Sequence, residues 1–264
     1  MRLSDKRNTI FTTRLQKGGA LFEDMRRIVM VWSDEIAQNN VVGYLARSLP
    51  KSTIARVKDT YIRAFRPRFI EGSPANAWRL AKILEEKKAD IQILRSFYFW
   101  ITARSESPLY EFASDFVFSK SRAIDRQVRI GDTVTWLSQR AREKGISWTP
   151  TVTIKVARGI LATLRDFGIL EGATRKHVST GGLSPKAFAI IAFCLHGMGA
   201  SNRELVSHPD WQIFLLGEIG IERLFLECHQ FGWMKFDSAG DLKRIEFPEK
   251  TFLEYSHAVL SRLP

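Results

Sequence analysis

The chain has 264 residues, enough for two modest domains or one large one, and its 45% apolar content allows a sizeable core. Lys and Arg number 40 against 28 Asp and Glu, a formal net charge of +12. That excess points to an anionic partner, most often nucleic acid, and does not by itself choose among nucleic acid, a membrane surface and an acidic protein. Two cysteines, Cys194 and Cys228, exclude a disulfide framework and fit a reducing cytosol. Met1 to Thr13 is polar and lacks the apolar stretch of a secretory signal. The longest apolar run, Ala187 to Ala200, falls short of the roughly 20 residues of a spanning helix and is interrupted by His196. A cytoplasmic protein without a membrane segment is expected.

In chain order, Met1 to Lys17 is basic and polar and includes Arg14, and Lys17-Gly18-Gly19 marks a break. This lysine and its glycines lack the Walker spacing, so no phosphate loop is read there. Leu21, Met25, Ile28, Val29 and Trp32 predict a helix from about Ala20 to Val31. Val41 to Leu49 is a short helical piece closed by Pro50. Ser52 or Thr53 caps the next helix, which runs to about Arg66. Arg56, Lys58, Arg63, Arg66 and, just beyond, Arg68 face one acid there, Asp59, with Tyr61, Phe65 and Phe69 interleaved. The arginines suit phosphates. The rings read first as core, with base stacking as the alternative.

Ser73-Pro74 and Ser107-Pro108 each read as a cap followed by a first-turn proline. Glu85-Glu86, at a helix end among lysines, reads as solvated. Asp90 starts a helix whose broad apolar face, Ile91, Leu94, Phe97, Tyr98 and Ile101, makes it central to its domain. Residues 1–121 thus predict a helical bundle with no strand. Ser119 to Arg129 follows as a basic connector carrying Lys120, Arg122, Arg126 and Arg129.

Residues 122–182 predict a winged helix-turn-helix-like unit. Asp132 or Thr133 caps a helix with Val134, Leu137 and Ala141 inward, and Gly145 ends it. Thr149-Pro150 is an N-cap with a proline at the first helical position. The second helix runs to about Phe167 and stops at Gly168. Its inner side is Val152, Val156, Ile160 and Leu164; Thr151, Lys155, Arg158 and Arg165 share another side that carries no acid. Ile169-Leu170, a turn at Glu171-Gly172, and Lys176 to Thr180 predict a hairpin, with Arg175, Lys176 and His177 at its tip. In such a unit the second helix enters the major groove with its N-terminal residues nearest the bases, which selects Thr151, Thr153, Lys155 and Arg158.

Residues 183–264 predict a second unit of the same kind. Ser184-Pro185 starts the apolar helix to His196; short helices Asn202 to His208 and Trp211 to Leu216 and a longer one, Glu218 to Phe231, follow. A hairpin turning at Ser238-Ala239-Gly240 and a last helix from Pro248 to Leu263 complete it. Phe167-Gly168-Ile169-Leu170 and Phe231-Gly232-Trp233-Met234 repeat one pattern 64 residues apart. Glu218, Glu222 and Glu227 offset Arg223, so this copy is expected to pack or bind a partner instead of reading DNA.

No chemistry is read from the rest. Cys194, His196, Cys228 and His229 do not have zinc-ligand spacing. Asp166-Phe167-Gly168 lacks the companion motifs of a kinase. No cofactor, metal or catalytic group is expected, and a binding protein is favoured over an enzyme.

The segment Thr12-Thr13-Arg14-Leu15-Gln16-Lys17-Gly18-Gly19-Ala20-Leu21, with the acidic-then-basic helix after it and Arg63-Ala64-Phe65 further on, resembles the BrxA family. These are the small NusB-like proteins of bacterial BREX phage-defence systems. The resemblance implies a non-enzymatic, all-α, DNA-binding accessory protein working beside a BREX methyltransferase, an ATPase and a phosphatase-like partner. The likeness to NusB keeps RNA open as a ligand. The expected function is binding of double-stranded DNA, largely through phosphates. Lys155 and Arg158 would enter the groove, and Arg14, Lys17, Arg63, Arg66, Arg122 and Arg126 would add the salt-sensitive backbone term. A protein-interaction adaptor within the defence complex is the alternative.

Overall fold

A computed structural model describes residues 8–38, 40–51, 53–240 and 242–261, so residues 1–7, the cap candidate Ser52 and the predicted helix end at Leu263 lie outside the described residues. The first part comprises α1 (Phe22–Val31), α2 (Asp34–Ala37), α3 (Val41–Ser48), α4 (Ile54–Thr60), α5 (Ala77–Glu86), α6 (Ile91–Ser105), α7 (Ser107–Glu111) and α8 (Phe118–Ser121). Then come β1 (Gln127–Val128), α9 (Ile130–Glu143), α10 (Pro150–Asp166), β2 (Leu170–Glu171) and β3 (Lys176–Val178). The last part is α11 (Pro185–Gly197), α12 (Asn202–Val206), α13 (Asp210–Ile213), α14 (Glu218–Gln230), β4 (Lys235–Ala239), β5 (Leu242–Glu246) and α15 (Phe252–Ser261). The chain is mainly helical, with a few short antiparallel strand pairs, as its apolar periodicity predicts.

Helix α6 carries the architecture. Phe97 to Ser105 are buried in an unbroken run, so this part of the helix is enclosed on every side. It packs against α5, α7, α11 and α13. Helix α11 is just as apolar, buried from Ala187 through Ala192, and packs on α6, α14 and α15. One hydrophobic core therefore runs from Phe11 to Val259 through all parts of the described chain.

The polar end of α6 holds what this core cannot dissolve. The Arg104 guanidinium donates to the Asp210 carboxylate, to the Ser73 carbonyl at 3.0 Å and to Ser73 Oγ at 2.9 Å. Asp210 also accepts from Trp100 Nε1 at 2.7 Å and from the Tyr110 hydroxyl at 2.8 Å. Burial pushes the Asp210 carboxyl up, but Arg104, His208 and these donors outweigh it and hold the group below the usual carboxylate range. Two residues along, Glu106 faces Arg68 at 3.5 Å, both fully buried. Arg68 donates to the carbonyls of Gly18, Gly19 and Ala20 at 2.7, 3.0 and 3.2 Å.

Several expectations change here. Ser73-Pro74 does not start a helix; α5 begins at Ala77, and Ser73 is taken up by Arg104. One expectation here holds: Thr53, one of the two expected caps, caps α4, accepting from Arg56 N at 3.3 Å. That helix passes Arg66 and continues as π-helical turns from Tyr61 to Ile70. Pro67 has no N–H to give, which interrupts the regular ladder inside this wider segment. Phe65 and Phe69 stack on each other at 5.5 Å and are fully buried, so they present no face to a base. Glu85 is not solvated: it accepts from Arg26 at 2.8 and 2.9 Å and from the Tyr98 hydroxyl at 3.0 Å.

Breaking a buried ion pair strands the surviving charge, at a cost of about 3–5 kcal/mol. Arg104→Met and Asp210→Asn should each lower the unfolding free energy read from urea denaturation by that amount, and the double variant should cost less than their sum. The depressed Asp210 group stabilises the fold fully above its unfolded pKa, near 4, and that share is lost as pH falls through the folded value. Wild-type stability should therefore drop below about pH 4 by more than that of Asp210→Asn.

Candidate nucleic-acid interface

The unit from β1 to β3 is set up by local chemistry. Helix α9 ends as predicted: Gly145 takes φ +69°, its N–H donates to Arg142 O at 2.9 Å, and Ile146 N donates to Ala141 O at 2.8 Å. Helix α10 then starts at Pro150 with Thr149 Oγ1 accepting from Val152 N at 3.4 Å. At its far end Gly168 repeats the closure, with Ile169 N donating to Leu164 O at 2.8 Å. The start of α9 differs from expectation. It begins at Ile130, and Thr133 lies inside it, buried, with Oγ1 donating to Arg129 O at 3.0 Å.

Beyond α10, β2 and β3 form the hairpin, and β1 adds a third strand on the far side of β3, in the order β1-β3-β2. Gln127 pairs with His177, and Leu170 with Val178. This strand comes from the stretch expected to be a connector. Its two residues are too short for any alternation to show, and Val128, unlike the exposed Ile124, is the one buried residue in a basic run.

The N-terminal segment locks the unit to the rest. A 3-10 turn, Arg14–Gln16, lies across α10 at Gly159, where an added Cβ would sit 2.1 Å from the Leu15 carbonyl oxygen. Phe11 stacks on Trp148 at 5.5 Å, in the turn between the two helices. A cavity of about 320 Å³ opens beside that turn, lined by Val134, Arg142, Trp148 and Ile154 among others.

The predicted site residues separate into groups. Thr151, Lys155 and Arg158 form an exposed stripe along α10, and neither Lys155 nor Arg158 has an ion-pair partner among the described residues. Arg175 is exposed at the hairpin tip, and Lys176 Nζ donates to Ala173 O at 2.7 Å. Lys17 is exposed just past the 3-10 turn. Arg165 pairs with Asp166 at 2.7 Å, so the acid-free side ends one turn earlier than the sequence suggests.

Other residues are committed elsewhere. Thr153 points inward, 4% exposed, its Oγ1 donating to Thr149 O at 3.2 Å; it cannot reach a base edge. Arg14 donates to Glu106 at 3.3 Å and to Ser105 O at 2.7 Å, and so belongs to the buried polar end of α6. Arg63 pairs with Asp59 at 3.0 Å and Arg66 with Glu71 at 2.7 Å. Arg122 lies over the Phe118 ring at 3.9 Å. Arg126, half-buried, accepts from Val178 N at 3.0 Å through its carbonyl, so it flanks the sheet.

Helix α14 ends like α10, Gly232 at φ +69° and Trp233 N donating to Cys228 O at 3.0 Å, and a two-stranded hairpin follows in both sequence and structure. Its outer face differs. The positions 64 residues on from Lys155 and Ala162 are Ile219 and Leu226, 87% and 46% exposed. Glu222 pairs with Lys243 of β5 at 3.1 Å.

No group of three or more His, Cys, Asp or Glu among the described residues is placed to hold a metal ion, and burial pushes the Cys194 and Cys228 thiols up. No helix of the described residues is long and apolar enough to cross a membrane.

The BrxA family model matches residues 9–193, from the N-terminal segment through both helices of this unit and most of α11. No curated protein and no solved structure matches the chain.

If Thr149 sets the start of α10, Thr149→Ala should cost about 1 kcal/mol in thermal or urea unfolding. The exposed Thr151→Ala should stay within about 0.5 kcal/mol of wild type.

Proposed function

The chain belongs to the BrxA family and is a BREX-associated protein; on that premise we propose that it binds double-stranded DNA without catalysing a reaction. The elements from β1 to β3 act as a winged helix-turn-helix. The observation that supports this most is the stripe Thr151, Lys155 and Arg158, exposed, free of acids and without ion-pair partners on the second helix of the unit. Helix α10 enters the major groove from its Thr149-Pro150 end, where the Thr151 N–H and the positive end of its dipole favour a phosphate. Lys155 and Arg158 follow along the groove. Arg175 and Lys176 on the hairpin, with Lys17, contact the backbone.

Some of the arginines expected at the backbone serve elsewhere. Arg14, Arg63 and Arg66 are engaged by carboxylates, so they add little to a backbone contact. The backbone term therefore rests on fewer cations than the composition suggests.

A second reading, a protein adaptor in the defence complex, is favoured by the other unit. Its equivalent face carries exposed Ile219 and Leu226 where α10 carries Lys155 and Ala162, and Leu242 on the hairpin is 78% exposed. The two readings are compatible: one unit for DNA, the other for a protein.

The test is binding to a matched 20-base-pair duplex, single-stranded DNA and RNA across a salt series. Lys155→Ala/Arg158→Ala should lower the slope of log affinity against log salt by about 2 on duplex DNA. Equal loss on all three ligands would reduce the contact to nonspecific phosphate attraction. Duplex binding untouched by the double variant would remove α10 as the reader. Absence of binding to any nucleic acid at low salt would leave the adaptor reading.

A further inference from the structure

A second polar site lies away from the outer face of α10. Gln92, Arg95, Ser96 and Phe99 fall on one side of α6 at helical spacing, and that side lines a cavity of about 470 Å³. The opposite wall is the base of the hairpin and the Gly181–Ser184 segment leading into α11. Phe99 and Phe214 pack edge-to-face at 5.5 Å in its apolar part.

Arg95 is the unexplained group. It is half-buried, and its Nε is sealed from solvent with no hydrogen-bond partner. It forms no ion pair among the described residues. A guanidinium donor closed off from both water and an acceptor costs free energy, so such groups normally have a partner. The fully buried arginines have such partners for their terminal nitrogens, three backbone carbonyls for Arg68 and Asp210 with Ser73 for Arg104, whereas half-buried Arg126 shares the sealed Nε of Arg95.

The surroundings of Arg95 favour an anion. Among the described residues, the N–H groups of Gly182 and Leu183 donate to no protein acceptor, while Gly181 N is held by Ser179 Oγ at 3.1 Å. Helix α11, capped by Ser184, directs its positive end to the same wall. The one carboxylate there, Glu171, is engaged by the Ser179 hydroxyl and makes no ion pair with Arg95. The volume exceeds what a bare phosphate fills and lies within the usual range of small-ligand sites.

We propose that this cavity binds a phosphate group, with Arg95 as its planar two-pronged donor and the Gly182 and Leu183 N–H groups and Ser96 completing the contacts. The phosphate comes either from a small phosphorylated ligand of nucleotide size, whose ring rests on the Phe99 and Phe214 side, or from a DNA backbone passing the hairpin. Arg suits this role because its fork matches two phosphate oxygens at once, which a lysine does not.

The experiment measures binding of inorganic phosphate, AMP and a 20-base-pair duplex by calorimetry and thermal shift, in the full chain and in Arg95→Gln, Arg95→Lys and Ser96→Ala. Expected is binding of AMP or phosphate to wild type that weakens at least tenfold in Arg95→Gln and is only partly kept by Arg95→Lys. The melting temperature of unliganded Arg95→Gln should not fall, because the substitution removes a half-buried charge with no ion-pair partner among the described residues. Lys155→Ala/Arg158→Ala should bind AMP as wild type does, which separates this site from the α10 face. If AMP and phosphate do not bind but duplex affinity falls tenfold in Arg95→Gln, the phosphate is that of the DNA backbone. Affinities for all three probes unchanged by Arg95→Gln, or a collapse of the unliganded fold in Arg95→Gln, would overturn the proposal.

Discussion

At the polar end of α6, Arg104 and Glu106 meet Asp210 and Arg68 out of reach of solvent. Placing charges in an apolar core is unfavourable unless geometry and additional hydrogen bonds compensate. Here the compensation ties distant segments together. Arg104 reaches Ser73 in the first part of the chain and Asp210 in the last. Through Arg68 and Arg14, Glu106 fixes the N-terminal segment, whose Gly18, Gly19 and Ala20 carbonyls have no helix to satisfy them. The two halves of this hub are unequal. Asp210 is fully engaged by Trp100, Tyr110 and Arg104, whereas Glu106 Oε1 meets Arg68 Nε at 3.5 Å without a hydrogen bond. The Glu106 side owes its hold to the hydrogen bonds that Oε2 accepts from Arg14 and Thr12, to charge, and to the backbone contacts of its arginines.

The candidate DNA-reading helix depends on that hub at one remove. Leu15, one residue from Arg14, crosses α10 at Gly159, where any side chain would collide with the backbone. Phe11 holds the turn before α10 through Trp148. The inner side of α10 is thus fixed by the core and its flank by the N-terminal segment. The outward stripe is left to solvent, on a rigid element, as a groove-reading helix requires.

Two units with the same closing turns have different surfaces. The glycines at 168 and 232 both adopt left-handed conformations and send the chain into a hairpin. The first hairpin gains a third strand from β1, while β4 and β5 pair only with each other among the described residues. The exposed positions then diverge from cations to Ile219 and Leu226. Similar local chemistry has kept the frame, and the outer residues set what each frame presents.

What the sequence by itself determined is the local punctuation and the apolar faces. Thr149-Pro150 and Ser184-Pro185 start helices, and Gly145, Gly168 and Gly232 end them, as their residue types require. These devices act within about five residues, through caps and left-handed turns, so they can be read from a short window. The central place of α6 and α11 was legible for a similar reason, since apolar residues all round a helix can only be buried. The tertiary structure decided which polar residues remained outside. Ser73-Pro74 looks like a helix start, yet Arg104, 31 residues on, takes the serine. Arg14 and Lys17 look alike in sequence, and Glu106, 92 residues from Arg14, makes the first structural. Thr153 is turned inward by the facing of α10, and β1 exists only because β3 is there to pair with it. A charge is assigned to core or surface by partners far along the chain, and their positions are fixed only when the fold closes.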